Sequence, residues 1–139
     1  MEPAKPMRIC MIQSSKPCIV NGELLVFASN TIYLSRLCRQ NHTTLAACQK
    51  ASKEVVGGYK LPLLIQKDLY CFFPVYGKRN EEKCWLNYYE IEAVKKQSLM
   101  TLVVFKNGQT LLLCIDKRSI SRQMKRCERI LLALEKGFK

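Results

Sequence analysis

The sequence holds one histidine, His42, and one tryptophan, Trp85. A lone histidine with no acidic cluster beside it leaves no group poised near neutral pKa, so general acid–base catalysis has no machinery and no enzyme is expected. The patterns GxGxxG, HExxH and GxxxxGK followed by Ser or Thr do not occur. Gly57-Gly58-Tyr59-Lys60 is glycine-rich with a nearby lysine but lacks the spacing of a phosphate loop. There is no CxxC, and His42 stands beside no cysteine pair at metal-ligand spacing, so no metal site and no cofactor are expected. No apolar run approaches the roughly 18 residues that span a bilayer. The first twenty residues, broken by Arg8, Gln13, Ser14, Ser15, Lys16 and Pro17, lack the continuous apolar segment of an export signal. Acidic residues are also scarce, 11 against 23 Lys and Arg, for a formal charge of +12.

Without export, the eight cysteines are expected to stay reduced and fill space as small hydrophobes, in a soluble, cytoplasmic protein. With 139 residues and 48 % apolar content, the chain reads as a single domain over 1–139. The charge is no tail: residues 1–70 hold nine cations and four anions (+5), and 71–139 hold fourteen and seven (+7). Self-repulsion of that size opposes compaction unless an anionic partner offsets it. Nucleic acid is the leading partner class, and an anionic membrane surface the second.

The stretch 99–134 organises the rest. LMTLVVF and TLLLCI flank Lys106-Asn107-Gly108-Gln109, and Asn-Gly supplies the positive φ angles of a two-residue type I′ hairpin turn. After Asp116 the period becomes 3.6, with Ile120, Met124, Cys127, Ile130, Leu131 and Leu134 on one helical face spanning about 120° of arc. Arg118, Arg122, Lys125, Arg126 and Arg129 fall within about another 100° on the opposite side. Ser119 is the expected N-cap and Gly137 the expected stop. That basic side is either ligand-facing or a solvated surface; the helix alone leaves both open.

Upstream, Arg8–Gln13 and Cys18–Val20 lead to Asn21-Gly22, and 23–29 (ELLVFAS) completes a second hairpin. Residues 30–37 fit a strand or a short helix, with Arg36 and Arg39 flanking Cys38. Thr43 or Thr44 caps a helix, LAACQKASKEVV, ended by Gly57-Gly58. A helix-turn-helix is not expected, because that motif spaces its helices by about four residues and these two lie some sixty apart. KLPLLI and LYCFFPVY read as strands around a Gln66-Lys67-Asp68 turn, with Pro62 and Pro74 placing them at edges or strand ends. Lys78 and Arg79, in the loop GKRNEEK, either reach an anion or are a solvated tip balanced by Glu81 and Glu82. CWLNYYEIEAV alternates unevenly, as a strand that bends or bulges does. The expected class is α+β: a bent antiparallel sheet of about six to eight strands, pleckstrin-homology-like in order, with one shorter internal helix and a C-terminal amphipathic helix closing it.

Read in order, Phe72-Phe73-Pro74, Cys84-Trp85-Leu86, Val104-Phe105-Lys106-Asn107-Gly108, then Ser119 and Gln123 ahead of the basic helix, the chain resembles the ComK competence transcription factors. Cys38-Arg39, Thr43-Thr44 and Pro62 before its apolar run are similar to further landmarks of that family, and the likeness spans roughly residues 24–134. One departure from the family's pattern is that Cys84 abuts Trp85 with no intervening glycine. Longer members continue past the terminal helix into a tail tied to regulated proteolysis and activation. The resemblance implies a DNA-binding activator of competence (DNA-uptake) genes, associated with the nucleoid. It implies paired A/T-rich boxes on double-stranded DNA read chiefly through the minor groove, a homodimer or higher homo-oligomer, and a proteolytic adaptor as a further partner. Narrow A/T-rich minor grooves concentrate negative potential that favours inserted arginines. The candidate DNA contacts are Arg118, Arg122, Lys125, Arg126 and Arg129, with Arg36, Arg39, Lys78 and Arg79 next. The alternative is a non-catalytic pleckstrin-like module binding an anionic membrane or a regulatory protein with the same cations.

Overall fold

The computed structural model describes residues 9–13, 19–24, 29–77 and 82–136. Along it run β1 (Met11–Gln13), β2 (Ile19–Val20), β3 (Glu23–Leu24), α1 (Asn30–Gln40), α2 (Leu45–Val56), β4 (Leu63–Gln66) and β5 (Tyr70–Tyr76). Then follow β6 (Glu82–Asn87), a 3-10 turn (Tyr88–Glu90), β7 (Ile91–Gln97), β8 (Met100–Phe105), β9 (Thr110–Leu113) and α3 (Lys117–Glu135). The fold is α+β and antiparallel throughout, closed by a C-terminal helix.

The strands form two sheets rather than one bent sheet, six in the order β3-β2-β1-β6-β5-β4 and three in the order β7-β8-β9. The division falls within CWLNYYEIEAV, where the 3-10 turn interrupts the ladder between β6 and β7. Asn87, fully buried, makes that break tolerable. Its Nδ2 donates to Ile9 O (2.8 Å) and Leu69 O (2.9 Å), while its Oδ1 accepts from Cys71 N (3.2 Å) and Tyr89 N (3.3 Å). Nor is the order the simple meander of a pleckstrin-like roll: β1 pairs with β6, and a helical pair separates β3 from β4.

The expectation of one internal helix is corrected to two. α1 forms where strand and helix were equally legible, because Ser29 caps it (Ile32 N to Oγ, 3.2 Å) and Leu34, Leu37 and Cys38 supply a buried i, i+3, i+4 stripe. Asn41–Thr44 joins it to α2, which Thr44 caps (Ala47 N to Oγ1, 3.1 Å) and Gly57 ends at φ +65°. The four-residue spacing of a helix-turn-helix is thus present after all, between α1 and α2 rather than between α2 and the terminal helix.

Successive β5 residues serve opposite faces of the large sheet. Cys71, Phe73 and Val75 join Leu86, Val103, Phe105, Ile120 and Cys127 in a core against α3 and the small sheet. Phe72 joins Ile12, Leu34, Leu37, Leu63 and Ile65 in a second core under the helical pair.

At Asn21-Gly22 both residues have positive φ (+51° and +85°), the predicted type I′ geometry. The second Asn-Gly differs, since only Gly108 is left-handed (φ +91°). Gly108 N bonds Phe105 O (3.0 Å) and Phe105 N bonds Gln109 O (2.9 Å), a three-residue loop with a glycine bulge. The Asn107 side chain accounts for it: Oδ1 accepts from Gln109 N (2.9 Å), an Asx turn in place of positive φ. Gln109 Nε2 then donates to Asn21 O (2.7 Å), tying the two Asn-Gly hairpins together across the sheets.

Asn87→Ala removes the side-chain partner of two half-buried carbonyls and two amides, and is expected to cost about 2 to 4 kcal/mol. Urea denaturation of parent and variant checks this; a midpoint unchanged at constant m-value would show that the bridge is dispensable.

Candidate nucleic-acid interface

Helix α3 begins one turn earlier than expected. Asp116, not Ser119, is the N-cap, its Oδ1 accepting from Arg118 N (3.1 Å), and the last helical residue is Glu135, with Gly137 outside the described residues. The buried stripe is narrower than the apolar one: Ile120, Cys127 and Ile130 are buried, Met124 and Leu131 are half-buried, and Leu134 is exposed.

Opposite that stripe, Arg118, Arg122, Lys125 and Arg129 are exposed. At 100° per residue they lie within about 60° of arc, and at 1.5 Å rise they extend over about 16 Å. Arg126 is not part of this row. It lies roughly 70° round from its centre, on the flank of the buried face, and is half-buried. Nη1 donates to Lys60 O (2.9 Å) and Gln123 Oε1 (2.7 Å), and Nη2 to Gly57 O (2.9 Å). Gln123 Nε2 shares Lys60 O (2.9 Å) and reaches Pro74 O (3.0 Å). Burial lowers the Arg126 pKa from the usual guanidinium range, opposed in part by Cys127 and aided to a lesser degree by the Arg129 charge. The placing of Arg126 on a free basic side is therefore corrected: it is a fastening between α3 and the loop after α2. Arg129 is exposed yet also donates to Val55 O (3.3 Å), so it meets the carbonyl end of α2, where a cation is favoured.

The second-choice residues are placed elsewhere. Arg36 and Arg39 are exposed on α1, which is built into the other core, and Arg39 lies in the last turn, where it complements the helix dipole. Lys78 and Arg79 lie outside the described residues. Sequence reasoning set aside Lys60, which the structure brings beside α3: its φ is +57° and its Nζ stands 4.7 Å above the Tyr76 ring centroid. The Gly57-Gly58 pair two residues earlier was the available signal.

The family model described as ComK protein matches residues 10–139. The chain belongs to the ComK family. No curated protein and no solved structure matches it. ComK proteins are competence transcription factors, a regulatory family and not a catalytic one. In this ComK domain no described helix is long and apolar enough to cross a membrane. Among the described residues no group of His, Cys, Asp and Glu is placed to hold a metal ion.

Seven described cysteines carry free thiols, and six of them are buried. Burial, with the nearby Glu82 charge, pushes Cys84 up to about 12, while the adjacent Cys71 thiol and then burial raise Cys127. Their reactive thiolates are suppressed at neutral pH. Iodoacetamide at pH 8 is expected to modify the exposed Cys114 well ahead of the other six, as read by peptide mass mapping; rapid labelling of Cys84 or Cys127 would show that the core opens.

The two kinds of arginine on α3 separate by mutation. Arg126→Ala removes the donor to Gly57 O and leaves Lys60 O to Gln123 alone, and is expected to cost about 1 to 3 kcal/mol. Arg122→Ala, on the exposed side, is expected to stay within about 0.5 kcal/mol of the parent. Equal denaturation midpoints for both would refute the distinction.

Proposed function

We propose that this ComK-family protein is a DNA-binding activator of competence genes that engages A/T-rich promoter boxes through the outer row of α3. The observation that carries the reading is that row: Arg118, Arg122, Lys125 and Arg129 aligned on the solvent side of a helix anchored to the core, in a chain of formal charge +12. A length of about 16 Å exceeds the roughly 6 Å width of a minor groove, so one such row reaches phosphates on both walls with Arg122 and Lys125 over the groove. In an A/T-rich duplex the narrow groove deepens the negative potential those two cations meet. Arg36, Arg39, Lys78 and Arg79 are secondary contacts, setting position on phosphates.

The reading includes a homodimer or larger homo-oligomer on paired boxes, with a proteolytic adaptor as a further partner. Two copies at +12 each repel unless they meet on an uncharged surface. β9 is such a surface: it edges the small sheet, residues 109–115 (QTLLLCI) hold no charge, and Leu112 is 46 % exposed.

A second reading is favoured by the four-residue link between α1 and α2. It places α2 in a major groove with the exposed Gln49, Lys50 and Lys53 as contacts.

Binding of A/T-rich and G/C-rich duplexes across a salt series tests these together. The log–log slope is expected to be about −4 or steeper, with A/T preference retained at moderate salt. Arg122→Ala with Lys125→Ala should weaken binding and flatten the slope by about 2. A minor-groove ligand of the netropsin type should displace the protein; displacement failing while Lys50→Ala abolishes binding would favour α2. Equal affinity for both duplexes, or binding only to anionic liposomes, would overturn the reading. Sedimentation should show Leu112→Lys shifting the protein towards monomer; unchanged association would exclude β9 as the contact.

A further inference from the structure

Next to the α3 row, and sharing Arg122 with it, lies a cavity of about 250 Å³ bounded by Tyr59, Lys60, Tyr76, Ser119, Arg122 and Arg126. We propose that it is a phosphate-binding site in which Lys60 and Arg122 hold the anion. The phosphate comes either from the backbone of bound duplex or from a free phosphomonoester; the first case rests on the DNA-binding reading, the second does not.

The lining is one-signed. Among the described residues three cations border the cavity, and no Asp or Glu does. Like charges gathered at one opening repel, and an anion between them removes that cost. Arg126 is committed, its guanidinium held by the carbonyls of Gly57 and Lys60 and by Gln123. The available charge therefore resides on Lys60 and Arg122, one from the loop and one from the outer row of α3. Ser119, one turn before Arg122 on α3, lines the same space and carries a hydroxyl that can donate to a phosphate oxygen. Tyr59, beside Lys60, is 89 % exposed, an aromatic surface at the cavity rim of the kind a base or ribose packs on.

The loop is held in position rather than left slack. Gly57, Gly58 and Lys60 have φ of +65°, +75° and +57°, and for a lysine that conformation is costly. It persists because Arg126 and Gln123 both bond Lys60 O. The same residues that fasten the loop thus fix its one cation beside Arg122. The Lys60 ammonium is oriented by the Tyr76 ring, 4.7 Å from its centroid. The volume exceeds a single phosphate, leaving room for the sugar attached to it.

The test uses the full-length protein, Lys60→Gln, Lys60→Arg, and Lys96→Gln as a control on the exposed part of β7. One arm measures A/T-rich duplex affinity against salt; the other measures adenosine monophosphate and inorganic phosphate binding by calorimetry without DNA. Thermal melting of each variant verifies folding, and Lys60→Gln retains the carbonyl that Arg126 grips. If the backbone supplies the phosphate, Lys60→Gln is expected to weaken duplex binding about tenfold at low salt and flatten the slope by about 0.9. A/T preference stays unchanged, since a phosphate contact reads no base. Lys60→Arg should restore the parent slope, and Lys96→Gln should match the parent. If the source is a small phosphomonoester, adenosine monophosphate binds the parent and Lys60→Arg but not Lys60→Gln, whatever happens with DNA. A parent that binds duplex while Lys60→Gln alters neither arm overturns the pocket and leaves the DNA reading standing. A parent that ignores duplex but binds adenosine monophosphate through Lys60 overturns the DNA reading and leaves the pocket standing. Failure to bind in both arms overturns both.

Discussion

The carbonyls of Gly57, Lys60 and Pro74 come from three separate places, the end of α2, the loop after it, and a strand, and α3 supplies donors to all of them through Gln123 and Arg126. Each has a reason for lacking a partner of its own. Gly57 ends α2, where the last helical carbonyls have no successor. Lys60 follows it in a left-handed turn. Pro74 pairs with Trp85 on β6, but β4 begins only at Leu63 and its ladder meets β5 no further than Phe72, so the other side of β5 is open there. Proline is tolerated at that point because no ladder partner waits on that side for its missing N–H. The side chains of one helix stand in for the strand that stops short. The contact also explains why α3 can carry a row of exposed cations: its position is set by directional bonds and by Ile120, Cys127 and Ile130 in the core, not by the row itself.

This arrangement divides the positive charge into working classes. Arg126, sequestered and bonded to carbonyls, acts as a donor and contributes little field at the surface. Arg118, Arg122 and Lys125 are exposed in one line, and Arg129 belongs to both classes, exposed but touching the end of α2. An anionic ligand at the row would therefore draw on charge held rigidly relative to α2 and β5, which reduces the ordering cost of binding. Simple counting of cations on a helical wheel treats all five alike, and the fold does not.

Much of this was legible in the sequence, and the parts that were not share a cause. The Asn-Gly hairpins, the Thr44-capped helix, the uneven alternation of CWLNYYEIEAV and the terminal amphipathic helix all carry their signal within a few residues. What escaped depends on distant segments. Arg126 is 69 residues from Gly57, and periodicity gives its angle on α3 but not which loop arrives at that flank. α1 mixes β-forming Ile32 and Tyr33 with only three buried positions, too short a pattern to outvote strand propensity locally. The split into two sheets hinges on four hydrogen bonds to one asparagine, reaching Ile9 and Leu69 across the chain. The turn at Asn107-Gly108 was named from its dipeptide, yet the Asn107 side chain chose between two hairpin types that share it.

The residues that carry the family likeness turn out to be scaffold. Phe72 and Phe73 are fully buried in opposite cores, Leu86 is fully buried in the core beneath α3, and Asn107-Gly108 positions Gln109 between the hairpins. Gln123, midway along the basic row, points inward to Lys60 and Pro74. A pattern built from such positions identifies a ComK fold through its packing and its unpaired carbonyls, while the cations facing solvent are under none of those constraints. Membership in the family therefore constrains where α3 lies more tightly than it constrains which side chains α3 shows to a ligand. The identity of the contacts has to be argued from this chain's own surface, where Arg118, Arg122 and Lys125 stand exposed in line and Lys60 is brought beside Arg122 at the shared cavity.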